Sequence, residues 1–177
     1  KNNKWLNTQV FGNVFLDVDV LNNLVFRTNF GGNSYNYHGS SFSYPEYENA
    51  ENGTTNSFFE SAGQGFGWTW SNTLTYDFNL GSDHVFKALV GTESNYNKNR
   101  WMEARTLGYF SFDPDYTILG TGSGTQTNNG GRGAEALFSY FGRVDYSAFD
   151  KYILSATIRR DGSSKFVQNF GVFPAFS

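Results

Sequence analysis

The chain has 177 residues and no cysteine, and its 13 lysines and arginines against 16 aspartates and glutamates leave a formal net charge of −3. This balance excludes the basic face by which proteins bind nucleic acid, and the lack of cysteine excludes disulfides and thiolate metal sites in this chain. Aromatic residues make up 19% of the sequence, a composition that argues against intrinsic disorder. A length of this order predicts one domain.

Six segments alternate apolar and polar residues with a period of two, the pattern of a β-strand. In chain order they are 10–20, 24–30, 66–80, 86–90, 138–146 and 152–158. In every segment the even-numbered positions carry most of the apolar side chains. The sequence therefore predicts an all-β fold in which antiparallel strands run up and down as a meander.

The connections between these segments fall into two classes. Three are short, at 21–23, 81–83 and 147–150, whereas 31–65 and 95–133 are long and rich in glycine, asparagine and serine. A third long connection is expected after Asp161-Gly162. Long structureless loops are uncommon in compact soluble domains, but outer-membrane barrels have long loops on one side and short turns on the other.

Strand length and aromatic placement favour a transmembrane barrel. Globular strands average about 5 to 6 residues, and a tilted membrane strand needs about 9 to 11, which the segments 10–20 and 66–80 satisfy. Aromatic residues flank the segments at both ends, as the two membrane interfaces require: Tyr76, Phe78, Tyr146 and Tyr152 near short turns, and Trp68 and Trp70 near a long connection. Six strands cannot close a barrel, since the smallest known have 8. We therefore expect these residues to be an internal segment of a longer chain that forms a larger barrel.

Two other interpretations remain open at this point. A soluble β-sandwich that binds carbohydrate also alternates, with its apolar face turned toward a second sheet. The direction of the face formed by Phe66, Trp68, Trp70 and Leu74 distinguishes the two, because it points outward in a barrel and inward in a sandwich. A passive porin or an adhesin barrel is the third interpretation.

One run of residues resembles a known family. From Gly142 to Phe166 the chain reads Gly-Arg-Val-Asp-Tyr, then Lys-Tyr-Ile-Leu, then Ala-Thr-Ile-Arg-Arg-Asp-Gly-Ser-Ser-Lys-Phe. This run is similar to the mid-barrel signature of SusC/RagA-type TonB-dependent outer-membrane transporters. The segment 72–76 and Gly91-Thr92-Glu93 resemble the preceding hairpin of that family. Phe173-Pro174 resembles its next strand, with Ala175 where serine is usual.

The resemblance implies six to seven strands of a 22-stranded barrel. Residues 1–177 are then part of one TonB-dependent receptor β-barrel domain, with the plug domain and the TonB-contacting segment absent from this chain. It further implies import of oligosaccharides or oligopeptides across a Gram-negative, Bacteroidota-like outer membrane. The implied partners are a SusD-like surface lipoprotein acting as a lid, TonB through the missing plug region, the lipid bilayer and the glycan or peptide substrate. Neither an enzymatic activity nor a cofactor is expected.

Strand phase assigns polar side chains to the barrel lumen and apolar ones to lipid. The residues predicted to face the lumen are Arg27, Asp77, Lys87, Arg143, Asp145 and Arg159. Arg160 should then face outward. The residues that carry the family motif include Gly142, Arg143, Arg159, Arg160, Asp161 and Gly162. For the run from Arg159 to Ser164 we favour a strand-end ion-pair network over direct ligand contact.

The aromatic residues of the second long connection are candidate contacts for a ligand or for the lid. They are Tyr96, Trp101, Tyr109, Phe110 and Tyr116. Flat aromatic rings stack on sugars or peptides, but packing within a folded loop explains them equally well. His84 is interpreted as part of a solvated turn and Asp113-Pro114-Asp115 as a proline turn, so the sequence predicts no catalytic or metal-binding site.

Overall fold

The computed structural model describes residues 2–47, 53–149, 151–165 and 170–177. One sheet of seven strands runs through these residues, and each strand pairs with the next one along the chain. The strands are β1 (Asn2–Leu21), β2 (Leu24–Ser43), β3 (Ser57–Leu80), β4 (His84–Leu107), β5 (Gln126–Ala148), β6 (Tyr152–Ser163) and β7 (Phe170–Phe176). A 3₁₀ turn, Pro114–Tyr116, lies between β4 and β5. The predicted meander is confirmed, and β7 contains the strand expected at Phe173-Pro174.

In the last three strands, each residue lies opposite a residue that is also even-numbered or also odd-numbered. In the antiparallel pair β5–β6, Tyr146 lies opposite Leu154, and Gly142 lies opposite Ile158. Ile158 in turn lies opposite Pro174 of β7. Because side chains alternate between faces along a strand, even-numbered residues of all three strands share one face and odd-numbered residues the other.

The long connections are shorter than the sequence suggested. β2 continues to Ser43 and β3 begins at Ser57, while β4 continues to Leu107 and β5 begins at Gln126. The predicted bounds of these connections, 31–65 and 95–133, are therefore wrong, and the connections are 44–56 and 108–125. Glycine and asparagine have low strand propensity, but neighbouring strands compensate here: the Trp101 ring, for example, lies against Gly131.

The chain divides into two compact units. The first comprises Lys1–Val10, Ser34–Phe66 and Lys98–Gly133, and the second comprises Phe11–Asn33, Gly67–Asn97 and Ala134–Ser177. In the first unit the buried residues include Phe42 and Tyr109, and in the second Ser139 and Ala148.

The apolar side chains of the sheet are largely uncovered. Phe66, Trp70 and Leu74 are 44%, 49% and 36% exposed, and in the described part of the chain every named strand belongs to the one sheet. No second sheet of these residues packs over that face, as a β-sandwich requires. The soluble-sandwich interpretation is therefore not supported. Among the described residues, no helix is long or apolar enough to cross a membrane.

Candidate functional site

The odd-numbered side chains of the second unit form a surface that we call the polar face. Asp17 on β1 and Arg27 on β2 make a bidentate ion pair, with Asp17 Oδ1 and Oδ2 each 2.6 Å from a guanidinium nitrogen. Planar guanidinium and carboxylate groups match in this geometry, which fixes both side chains. The Asn13 amide beside the pair donates to Asn29 Oδ1 at 3.2 Å.

A second charged group lies near the short turns on the same face. Arg143 Nη2 is 2.8 Å from Asp145 Oδ1, and the Ser155 hydroxyl donates to the same oxygen at 2.5 Å. Lys87 Nζ lies 3.8 Å from Asp77 Oδ1. The structure thus brings together Arg143 with Asp145 and Lys87 with Asp77, all at odd-numbered positions.

Arg159 is the centre of a larger group of polar contacts. Its Nε donates to Asp161 Oδ1 at 2.6 Å, and its Nη2 donates to Glu93 Oε1 at 2.9 Å and to Ser139 Oγ at 3.0 Å. The guanidinium carbon also lies 5.8 Å from the centroid of the Phe141 ring. Ser139 is fully buried. These contacts join β4, β5 and β6, so the side chain is fixed in position by several partners.

Arg160, on the opposite face, is held differently. Its guanidinium carbon lies 4.3 Å from the centroid of the Phe170 ring on β7. A cation–π contact of this kind gives Arg160 a partner that is not a carboxylate. Phe166, the last residue of the family-like run, lies outside the described residues.

The even-numbered side chains of the second unit form the apolar face, which has an aromatic cluster toward each end. The turn-end cluster contains Phe78, Phe86 and Tyr146, with centroid distances of 4.8 Å and 4.5 Å along the stack. The loop-end cluster contains Phe30, Trp68 and Tyr96, at 6.1 Å and 6.2 Å.

The spacing of the two clusters matches a bilayer. Phe78 and Trp68 both lie on β3, and their separation along the strand is about 33 Å at about 3.3 Å per residue. A strand tilted by about 40° then places the two clusters about 25 Å apart along the barrel axis, which is the height of the apolar band of an outer-membrane barrel.

His84 packs against the turn-end cluster and is not a solvated turn residue. It begins β4, its Nδ1 is 2.7 Å from the Tyr146 hydroxyl, and its ring stacks on Tyr146 at 5.9 Å. The sequence does not reveal this role, because the partner lies far along the chain. With its imidazole joined to a phenol and stacked on that ring, His84 has a packing role.

The connection 108–125 is a folded structure within the first unit. Tyr109 is buried, its N–H donates to Asn56 Oδ1 at 2.6 Å, and Asn56 Nδ2 donates back to its carbonyl at 2.7 Å. The Tyr109 ring packs edge-on against Phe42 at 5.5 Å. Its hydroxyl donates to Ile118 O at 2.9 Å, and burial raises the pKa of the phenol above its ordinary value.

The five candidate contact aromatics separate into three groups. Tyr109 packs inside the folded connection. Phe110 and Tyr116 form a pair on its surface, with centroids 5.8 Å apart and both rings well exposed. Tyr96 and Trp101 are strand residues of β4, so the prediction that they lie in a loop is wrong; Tyr96 belongs to the loop-end cluster.

Three residues of these contact groups carry little signal in the sequence: Glu93, Ser139 and Asn56. Glu93 stands in a family-like hairpin, and only its odd number on β4 indicates the polar face. Asn56 carries no period or motif, and its role depends on Tyr109 being brought to it.

The remaining candidates from the sequence show no sign of a metal site. Asp113-Pro114-Asp115 forms the expected turn, in which the Asp113 carboxylate accepts from the Asp115 N–H at 3.0 Å. No group of three potential metal ligands occurs in the described parts of the chain.

Comparison with known proteins identifies what this chain is similar to. TonB-dependent receptor P39 of Formosa agariphila is 28% identical in an alignment 185 residues long, gaps included. The alignment covers 98% of this chain and 17% of the receptor. TonB-dependent receptor SusC of Bacteroides thetaiotaomicron is 28% identical over 106 residues, covering 59% of this chain and 10% of SusC. The chain thus spans less than a fifth of the curated relatives it matches. No protein-family model matches it.

Solved structures give the same result for the fold. The RagAB peptide transporter matches 99% of this chain and 20% of its own, with a TM-score of 0.82 and 21% identity. The ferric preacinetobactin receptor BauA of Acinetobacter baumannii matches 98% of this chain and 27% of its own, with a TM-score of 0.54 and 13% identity. The resemblance to SusC/RagA-type transporters is confirmed, and with it the fold as a segment of a TonB-dependent β-barrel and the outer-membrane location.

Proposed function

We propose that this chain forms part of the wall of an outer-membrane barrel that imports oligosaccharides or oligopeptides with energy supplied through TonB. In this proposal the polar face lines the lumen and the apolar face contacts lipid. A SusD-like lipoprotein closes over the side of the barrel that bears the connections 44–56 and 108–125. The segment contributes wall, lumen lining and part of the lid-facing surface, and it has no catalytic role.

One observation carries the proposal: in the second unit the sheet pairs its charges on the polar face, whereas no described residue covers the apolar face. On the apolar face the side chains of Val14, Leu16 and Val90 are each more than half exposed. Exposing apolar surface to water is unfavourable by about 25 cal/mol per Å², so a lipid environment accounts for this face. The aromatic clusters mark where that environment ends.

The relatives support the energy source and the partner. The matched receptors are named as TonB-dependent, and the matched structure is the RagAB peptide transporter. A passive porin is a weaker candidate, because the proteins that match are receptors of this type. The name of the RagAB peptide transporter specifies peptides, and the names of the two curated receptors specify no substrate. The proposal therefore keeps both substrate classes, oligosaccharides and oligopeptides.

The test uses the full-length protein that contains this chain, in its own cells. We expect it to band with the outer membrane in a sucrose gradient and to need detergent for extraction. Growth on an oligosaccharide mixture or on a casein digest should depend on the gene, and deleting tonB should abolish that growth while leaving the protein in the outer membrane. Recovery of a monodisperse, detergent-free protein, or gene-dependent growth that persists without TonB, would contradict the proposal.

A further inference from the structure

Several rings on the odd-numbered positions of the first unit lie directly on glycines of a neighbouring strand. A Cβ added at Gly65 would overlap the Tyr35 ring, and one added at Gly63 would overlap the Tyr37 ring. The Trp5 ring occupies the same position over Gly39. Each ring therefore fills the space above a glycine that no other residue type would leave open.

This arrangement fixes the rings while leaving them accessible. An aromatic ring has only two side-chain torsions to restrict, and a ring resting on backbone is restricted further, so it loses little entropy when a ligand binds. Trp5 is 56% exposed and Tyr35 is 36% exposed, whereas Tyr37 is half-buried. Tyr35 and Tyr37 are two positions apart on β2, which places their attachment points about 7 Å apart on one face.

Within the first unit, the segments of β1, β2 and β3 around these rings carry only uncharged residues on this face. The odd-numbered residues of 3–9, 35–43 and 57–65 comprise asparagine, glutamine, serine, glycine and aromatic residues, with no Asp, Glu, Lys or Arg among them. Among the described strand residues of the first unit, charged residues of this parity first occur on β4, at Glu103 and Arg105. The Arg105 guanidinium lies over the Phe59 ring, 5.6 Å from its centroid.

Such a surface suits hydroxyl groups better than charged ones. Amide groups both donate and accept hydrogen bonds, as the hydroxyls of a sugar also do. A peptide with charged termini would leave its charges without partners beside Trp5, Tyr35 and Tyr37, at a cost in affinity.

From this geometry we infer that Trp5, Tyr35 and Tyr37 form a stacking surface for a neutral oligosaccharide. The apolar C–H face of a sugar ring rests on the open face of each aromatic ring, and the neighbouring amides and hydroxyls bind its hydroxyl groups. The inference rests on the proposed function, since it takes the odd-numbered face to be the lumen, and it narrows the substrate from two classes to one.

The experiment measures binding to the purified full-length transporter in detergent. The probes are an array of neutral oligosaccharides (glucans, mannans, xylans and galactans) and a tryptic digest of casein. We expect the wild type to bind at least one oligosaccharide and no casein peptide. Titration calorimetry with that oligosaccharide should then show at least a tenfold loss of affinity for Tyr35→Ala/Tyr37→Ala and less than a threefold change for Tyr35→Phe/Tyr37→Phe, which keeps the rings.

A second pair of variants separates ring position from ring presence. Gly65→Ala keeps Tyr35 but displaces its ring, and we expect it to lower affinity at least threefold. Gly12→Ala is the matched control, because an added Cβ there meets nothing within 4 Å, and its affinity should be unchanged. Heat-modifiable migration on gels shows that each variant is assembled, and Trp5→Ala replaces any Tyr35 or Tyr37 variant that does not assemble.

Three results would overturn the inference. If the wild type binds casein peptides alone, or binds none of the oligosaccharides in the array, the assignment of a neutral oligosaccharide as substrate is wrong. If the assembled alanine variants bind with unchanged affinity, these rings do not form the binding site. These results are distinct from failure of the proposed function, which is read from the membrane fractionation and TonB dependence of the unmutated protein.

Discussion

Arg159 shows how a single side chain contributes to the wall. Its side chain is 35% exposed, and those of Glu93 and Asp161 are 28% and 25% exposed, so water screens the ion pairs only in part. Exposed ion pairs are worth about 0 to 1 kcal/mol, whereas leaving buried polar partners unsatisfied costs about 1 to 3 kcal/mol. The buried Ser139 hydroxyl and two carboxylates all contact this one guanidinium.

We therefore expect Arg159→Ala to lower the free energy of unfolding of the full-length barrel by about 1 to 2 kcal/mol, after allowance for screening. Lys165→Ala is the matched control, because Lys165 pairs with Glu135 where both side chains are about half exposed or more; its effect should stay below about 0.5 kcal/mol. Guanidinium titration followed by tryptophan fluorescence measures both. Equal effects for the two variants would show that the contacts of Arg159 add nothing to an ordinary surface pair.

At the scale of elements, the connection 108–125 has two kinds of residue contact: buried contacts that stabilise its fold, and exposed aromatic side chains that are available to a partner. Asn56 is buried and satisfies both backbone groups of Tyr109. Phe110 and Tyr116 protrude on the surface. The Gly-rich stretch 128–131, which its composition predicts to be a loop, belongs to β5. A variant that shortens this connection by deleting residues 120–131 would therefore also remove the beginning of β5.

Two variants, one single and one double, test this assignment of residues. Asn56→Ala leaves the Tyr109 N–H and carbonyl without the Asn56 amide, at a local cost of about 1 to 3 kcal/mol, and should make 108–125 sensitive to limited proteolysis. Phe110→Ala/Tyr116→Ala should leave the connection resistant but reduce co-purification of the lipoprotein partner severalfold, because large rigid aromatics dominate contact surfaces.

The opposite pattern would contradict this assignment. If Phe110→Ala/Tyr116→Ala opens the connection to protease, the pair packs and does not bind. If it changes neither proteolysis nor co-purification, the surface that contacts the lid lies elsewhere. Asn56→Ala with unaltered proteolysis would show that the backbone contacts of Tyr109 are dispensable.

The strands that alternate most clearly are the ones that can be predicted from the sequence. Segments 10–20 and 66–80 lie within β1 and β3, because a period of two in apolar residues reports a sheet with one apolar face. Segments 31–43 and 126–137 are rich in glycine and asparagine, and segment 95–107 carries polar residues at both odd and even positions, so no such period marks them. They are strands because of cross-strand contacts, such as Trp101 on Gly131 and the Thr69 hydroxyl with Asn95.

The sequence predicts which face of the sheet each residue of the candidate site lies on, but not which residues contact one another. Parity alone groups Arg27, Asp145 and Arg159, since side-chain alternation depends only on position along a strand. The pairing of Arg159 with Glu93 could not be predicted, because the two residues are 66 positions apart and meet only through a register that spans three strands.

At the scale of the whole molecule, the proposed function depends on which face meets lipid. The polar face pairs its charges, as a water-filled lumen permits, and the apolar face is bounded by two aromatic clusters whose spacing matches the apolar band of a barrel. The transport proposal, the stacking surface and the lid contacts all follow from this orientation. If the two faces were exchanged, charged groups such as Arg143 and Arg159 would lie in hydrocarbon, at about 2 to 4 kcal/mol for each arginine near the midplane.

A nitroxide scan along β6 is the most direct measurement of this orientation. Single spin labels at Ser155, Ala156, Thr157 and Ile158, in the full-length protein reconstituted into lipid bilayers, would be assayed for collision with molecular oxygen, which concentrates in lipid, and with a water-soluble nickel chelate. The proposed orientation predicts that oxygen contact is high at 156 and 158, and that nickel contact is high at 155 and 157. High nickel contact at 156 and 158, or values without a period of two, would contradict it.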